Sequence, residues 1–276
     1  MISAVFCFNT AIFSQYLRIA CNPGCSEGKS LWNDKGENMK QEFSEEYLAV
    51  KLERINRLID QQPSIYRPKR KGKYFIRYRQ DGKLREIYPA SANYKEAERR
   101  FFQKEALKQI QKQLQPMVRN KRNVKIRKDI VPVLSYDDYA KLIPHTTKDK
   151  DHPYSHKHFY MRSRFEVTLA GVLDSLELEY KYEPTLYLNG YQVSPDFVVL
   201  IPEFNCCIII ECEGMTDELN YINKNGYKLA EYLYSGLIVG MTLVVLQGGK
   251  TSMPSPDLMR NSVISAINLL TSYYLF

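Results

Sequence analysis

Residues 193–214, VSPDFVVLIPEFNCCIIIECEG, decide how the second half of this chain folds. Residues 197–201 form one β-branched and aromatic run and residues 206–210 another, with Pro202, Glu203, Phe204 and Asn205 between them as turn material. Side chains alternate along a strand, so Glu211 and Glu213 share a face and Cys212 takes the other. If the two strands pair through that turn, Asp196 at the start of the first comes beside Glu211 at the end of the second. Carboxylates this close repel unless a cation lies among them. Hard oxygen donors at that density suit Mg²⁺ or Mn²⁺ better than zinc.

Working outward, residues 161–178 carry Phe165, Leu169, Val172 and Leu176 at helical spacing. Strands are predicted over 179–188, 193–201 and 206–213, a helix over 217–235 and a last strand over 241–246. The fold class is α/β. This order, with Pro195-Asp196 before a loop and an apolar strand ending in Glu211, resembles the PD-(D/E)xK nuclease superfamily, whose restriction-endonuclease-like core runs αβββαβ. SRFE at 163–166, YEP at 182–184, PDF at 195–197, EGM at 213–215 and the spaced Tyr221, Lys228 and Tyr232 resemble uncharacterised nuclease-like proteins of bacteria and their mobile elements. The likeness covers roughly the last 120 residues.

The resemblance implies a metal-dependent nuclease in which Asp196 and Glu211 hold Mg²⁺ or Mn²⁺. It also implies an accessory metal role for Glu166 on the first core helix, against the plain reading of a solvated helical glutamate. One departure stands out: Glu213 occupies the position where the superfamily carries lysine. A lysine displaced to the following helix is a known variation, and Lys228 is the candidate, with Lys224 as substitute. Periodicity argues otherwise. Leu219, Ile222, Leu229, Leu233 and Leu237 form the apolar stripe of that helix, and Lys228 lies nearly opposite with Lys224 and Tyr232. Gln247 ends the last strand near the expected cleft.

The chain has 276 residues, is 44% hydrophobic and carries a formal charge of +8, values that suit a soluble globular protein. Its charge is uneven: residues 61–128 contain 21 Lys/Arg against 5 Asp/Glu, and residues 161–276 contain 7 against 13. A basic half to hold a polyanion beside an acidic half to hold metal suits a protein acting on DNA. Three regions are expected: a weakly structured extension over 1–40, a basic helix-hairpin-helix-type α+β module and linker over 41–150, and the nuclease-like domain over 151–276.

In the basic module, residues 42–60 and 93–114 have helical spacing. Residues 73–88, KYFIRYRQDGKLREIY, form a hairpin about Asp81-Gly82. Tyr74, Ile76 and Tyr78 fall on one face, and Phe75, Arg77 and Arg79 on the other. That second face reads either as a platform for bases and phosphates or as an ordinary solvated surface. Residues 118–128, VRNKRNVKIRK, add Lys121 and Arg122 as backbone contacts. Arg162 and Arg164 open the first core helix and reach for phosphate or merely decorate it. His145, His152, His156 and His158 lack the HExxH spacing and cysteine partners of a zinc site and read as a polar loop.

Cys206, Cys207 and Cys212 on one strand read as reduced, buried thiols of a cytoplasmic protein. Residues 2–8 are apolar but lack the basic flank of a signal peptide and the length of a membrane span, and the helical pattern starting after Met39 marks that residue as the expected start. No membrane partner is expected. Two readings compete with the nuclease. One is a catalytically inactive nucleic-acid-binding or complex-forming protein on the same fold; the other is a hydrolase using Glu211 and Glu213 as an acid/base pair, which leaves the basic half without a purpose. A single site would cut both strands only as a homodimer or by successive nicks.

Overall fold

The computed structural model describes residues 43–80, 82–118, 125–214, 219–249 and 252–275. The fold is mixed α/β with several small sheets. The chain divides into two compact units, one within residues 48–122 and the other within residues 41–47 and 123–276.

The division passes through α1 (Glu45–Asp60). The first unit continues with β1 (Ile65–Tyr66), β2 (Lys69–Arg70), β3 (Lys73–Tyr74), β4 (Ile76–Gln80), β5 (Lys83–Ile87) and α2 (Tyr94–Leu114). Its main sheet has the order β1-β4-β5. Gln80 pairs with Lys83, so the hairpin turns in two residues, and Gly82 takes φ +74°, which glycine adopts without steric cost. Ile65, Ile76 and Ala97 form the small core, with Tyr78, Ile87, Tyr94 and Phe101 packed on it.

The face assignment of this hairpin needs one correction. Phe75 is buried and stacks on Tyr88 with ring centroids 5.3 Å apart, so it is no exposed base-stacking platform. It lies at the break between β3 and β4, where its N–H donates to the Pro68 carbonyl, so strict alternation lapses there. Lys104 of α2 is also buried, and its ammonium donates to the carbonyls of Gln62 and Pro63 at 3.2 and 3.1 Å.

The second unit contains α3 (Tyr136–Lys141), a hairpin of β6 (Tyr154–His156) and β7 (Phe159–Met161), and α4 (Arg164–Ser175). It continues through β8 (Glu179–Tyr182), β9 (Leu186–Leu188), β10 (Tyr191–Val193), β11 (Phe197–Ile201), β12 (Cys206–Glu213), α5 (Leu219–Tyr234), β13 (Leu243–Gln247) and α6 (Pro256–Leu275). The central sheet has the order β13-β12-β11-β8; β12 and β13 are parallel and the other pairs antiparallel. Parallel neighbours require a crossover, and α5 supplies it.

Three details differ from the sequence expectations. The strand expected over 179–188 breaks after Tyr182 because Glu183 adopts φ +41° and Pro184 follows; residues 186–193 instead form a separate hairpin, β9–β10, turning on Asn189-Gly190, both at positive φ. The segment expected as linker packs in this unit: Leu134 and Tyr139 join its core, and the Cys207 N–H donates to the Leu134 carbonyl at 3.0 Å. A terminal helix, α6, was not anticipated, and buries Met259, Val263, Ile267 and Leu270.

Side-chain alternation sorts the sheet into two faces. Val198, Leu200, Cys207 and Ile209 face one way and pack with Leu243, Leu237 and Tyr232. Phe197 faces the other way with Tyr180 and Tyr182, its ring centroid 5.6 and 5.4 Å from theirs. The Ser163 hydroxyl accepts from the Glu166 N–H while the Glu166 carboxylate accepts from the Ser163 N–H; this capping box starts α4.

Candidate active site

Phe197 pairs with Ile210 across β11 and β12, so the next residues outward, Asp196 and Glu211, stand opposite each other on the face covered by α5. The Cys212 N–H donates to Asp196 Oδ2 at 2.7 Å, which fixes the carboxylate at the strand end. Glu211 is buried. Its Oε2 accepts from Lys228 Nζ at 2.7 Å and its Oε1 from the Tyr232 hydroxyl at 2.5 Å. Lys228 and Tyr232 are one helical turn apart on α5, so both descend on the same carboxylate.

Electrostatics mark this as a charged pocket short of cations. Burial, then the neighbouring Glu211, pushes the Asp196 carboxyl well above its ordinary range; Lys228 and the Cys212 N–H pull against that. Burial also raises Glu211, with Lys228 and Tyr232 opposing and Glu213 assisting. Asp196 keeps partial exposure and the Lys228 side chain is 27% exposed, so the pocket opens to solvent on their side.

Glu166 is buried, and its Oε2 accepts from the Tyr182 hydroxyl at 2.7 Å and from the Arg162 N–H at 2.9 Å. Since Tyr182 packs on Phe197, Glu166 is anchored from the face opposite Glu211, and its charge reaches Asp196 as a further upward push. Glu213 is partly buried, pairs with Gln247 of β13, and its carbonyl accepts from the Gly248 N–H at 2.8 Å. The side chain of Lys224 lies outside the described residues, as do Lys121, Arg122 and the chain before residue 43.

The stripe read for this helix needs correcting at two of its members: Leu237 is buried as expected, the side chains of Leu219 and Ile222 lie outside the described residues, and Leu229 and Leu233 face outward. Leu229 and Leu233 are 37% and 49% exposed, whereas Tyr232 is fully buried and Lys228 reaches Glu211. Leucine periodicity failed because a buried carboxylate on the facing strand makes a tyrosine and a lysine the better inward residues. The signal was present as Lys228 and Tyr232 at i, i+4, opposite a strand ending in glutamate. Tyr182 was likewise missed as the partner of Glu166.

The arginines differ in their engagement. Arg77 Nη2 is 2.7 Å from Glu86 Oε1 in a cross-strand ion pair, while Arg79 is exposed. Arg162 Nε lies 2.8 Å from Glu183 Oε1, and the Arg164 guanidinium sits 6.0 Å from the centre of the Tyr154 ring.

The histidines form more than a loop. The His145 and His152 rings stack at 3.9 Å, and His152 is buried with Asp149 2.8 Å from Nδ1 and Glu183 2.9 Å from Nε2. Burial alone would lower that imidazole, but the two carboxylates outweigh it and raise its pKa. His156 Nε2 lies 2.7 Å from Asp174 Oδ2.

Comparison of the chain with protein-family models, curated proteins and solved structures gives no match. Among the described residues, no helix is long and apolar enough to cross a membrane.

Proposed function

We propose that this protein is a metal-dependent DNA endonuclease of the PD-(D/E)xK type, acting in a bacterial mobile-element, repair or defence setting. The observation that carries the reading is the Lys228 ammonium 2.7 Å from Glu211, with Asp196 on the paired strand. A lysine missing from the strand is thereby supplied by the following helix. The order α4, β8, β11, β12, α5, β13 supports a restriction-endonuclease-like αβββαβ core, with the β9–β10 hairpin as an insertion.

The donor set fits a hard divalent cation. Asp196 and Glu211 stand opposite each other with one lysine on Glu211, Glu213 adds negative charge from the same strand, and the upward push on Asp196 and Glu211 is what an added cation would relieve. Asp196 and Glu211 would hold Mg²⁺ or Mn²⁺, with Glu213 and Glu166 supplying further negative charge nearby. When bound, such an ion acts as a Lewis acid toward a phosphodiester and lowers the pKa of water. Lys228 steadies an incoming phosphate oxygen and balances Glu211; Tyr232 fixes the Glu211 carboxylate plane. The basic residues between 61 and 128, with Arg79 exposed among them, hold the DNA backbone.

One observation favours the inactive alternative: Lys228 and Tyr232 already engage both Glu211 oxygens. Incubation of supercoiled plasmid and single-stranded DNA with Mg²⁺ or Mn²⁺ separates the readings, comparing wild type with Asp196→Asn and Lys228→Ala. Metal-dependent cutting lost in both variants supports the nuclease, and nicked circles appearing before linear DNA point to a single site working strand by strand. Binding without cutting under either metal leaves the inactive reading.

A further inference from the structure

We propose a second metal site, for zinc, built from His145, Asp149 and His152 and distinct from the carboxylates at Asp196 and Glu211. One ligand atom from each of the three residues lies within 4.8 Å of the other two. His152 Nδ1 is 2.8 Å from Asp149 Oδ1, and His145 Nε2 is 3.8 Å from Asp149 Oδ2. Two borderline imidazole nitrogens beside one carboxylate oxygen suit Zn²⁺, whereas Mg²⁺ prefers a shell made of oxygens alone.

The surroundings complete the argument. A metal-bound imidazole ordinarily gives its other N–H to a carboxylate, and His152 Nε2 has Glu183 Oε2 at 2.9 Å. Glu183 is held in turn by Arg162 at 2.8 Å. The two rings stack face to face at 3.9 Å, and His145 Nε2 donates to the Thr147 carbonyl at 2.7 Å, so zinc binding requires His145 to give up that hydrogen bond and rotate out of the stack to bring the nitrogen to an ion shared with His152. An open concavity lined by Lys150, His152, Tyr154 and Arg162 gives the ion a way in.

The ion would act as a clamp. The His145 N–H donates to the Tyr182 carbonyl and the Glu183 N–H to the Asp196 carbonyl, each at 2.9 Å. Zinc held by residues 145–152 would therefore fasten this segment to the end of β8 and, through one peptide hydrogen bond, steady the backbone of Asp196. The site stands whether or not Asp196 and Glu211 cut DNA.

The test uses the full-length protein, stripped with a chelator and titrated with Zn²⁺ against a chromophoric competitor, then with Co²⁺ by visible absorption. The expected result is one tight Zn²⁺ per chain and a Co²⁺ spectrum without thiolate charge transfer. His145→Ala and Asp149→Asn, at side chains 24% and 41% exposed, weaken Zn²⁺ binding by about 100-fold or more, and Glu183→Gln weakens it by about 10-fold. Asp196→Asn leaves it unchanged, as does replacing the chain's other three cysteines, Cys7, Cys21 and Cys25, with serine. Circular dichroism checks that each variant is folded. Zinc affinity unchanged in both His145→Ala and Asp149→Asn, or abolished by the cysteine or Asp196 changes, overturns the proposal.

Discussion

Replacing Lys228 by methionine tests the charge balance at Glu211. The change keeps the apolar stem and removes the ammonium, leaving a carboxylate that is 4% exposed with only the Tyr232 hydroxyl as partner. Removing one member of a buried ion pair costs about 3–5 kcal/mol; partial exposure of Lys228 and the surviving hydroxyl reduce this to about 2–3 kcal/mol at pH 8. Glu211 can escape by taking a proton. An unfolded glutamate has a pKa of about 4.3, so protonation at pH 5 costs at most about 1 kcal/mol, which caps the penalty there. The sign follows: above pH 4.3 the folded variant holds a proton that the unfolded chain releases, so its stability falls as pH rises. Urea denaturation followed by circular dichroism at pH 5 and pH 8 measures both values. Adding Glu211→Gln should recover most of the loss at pH 8, since the amide oxygen still accepts from Tyr232. A penalty equal at the two pH values, or no recovery in the double variant, would refute the reasoning.

Three further outcomes follow from the geometry. Asp196→Asn should abolish cleavage yet raise metal-free stability by about 1–2 kcal/mol at pH 8, because the raised Asp196 carboxyl makes wild type lose stability as pH climbs above the unfolded value and asparagine does not titrate; thermal unfolding across pH 4 to 8 reads this. Tyr182→Phe should destabilise by about 1.5–3 kcal/mol by taking a donor from buried Glu166, measured by chemical denaturation. Burial raises the Cys206 thiol to about 12 and pushes Cys207 and Cys212 upward as well, so a maleimide should label these three only after unfolding, as mass spectrometry of peptides would show.

Much of the second unit was legible because its signals are local. The apolar runs of 197–201 and 206–210, with one short turn between them, fixed the β11–β12 register and hence the meeting of Asp196 with Glu211. Asp81-Gly82 likewise marked a hairpin whose pairing is seen at Gln80 and Lys83. What stayed hidden depends on partners distant in sequence. The inward face of α5 is chosen by Glu211, the His152 position by Glu183, and the Leu134 position by Cys207, and no window of a dozen residues contains both members of those pairs. The Phe75 face failed for a different reason, since a break between two-residue and five-residue strands resets the alternation.

Because α5 is the crossover joining parallel β12 and β13, it delivers Lys228 and Tyr232 to Glu211 near the end of β12. A cation needed beside Glu211 can therefore be housed on either of two elements, and the chain can exchange one address for the other through a doubly occupied intermediate, with lysine on both, that never lacks positive charge. Glu213→Lys made before Lys228→Ala would trace that route in two single substitutions, and recovery of the stability lost on removing Lys228 would show whether the strand can house the cation in place of the helix.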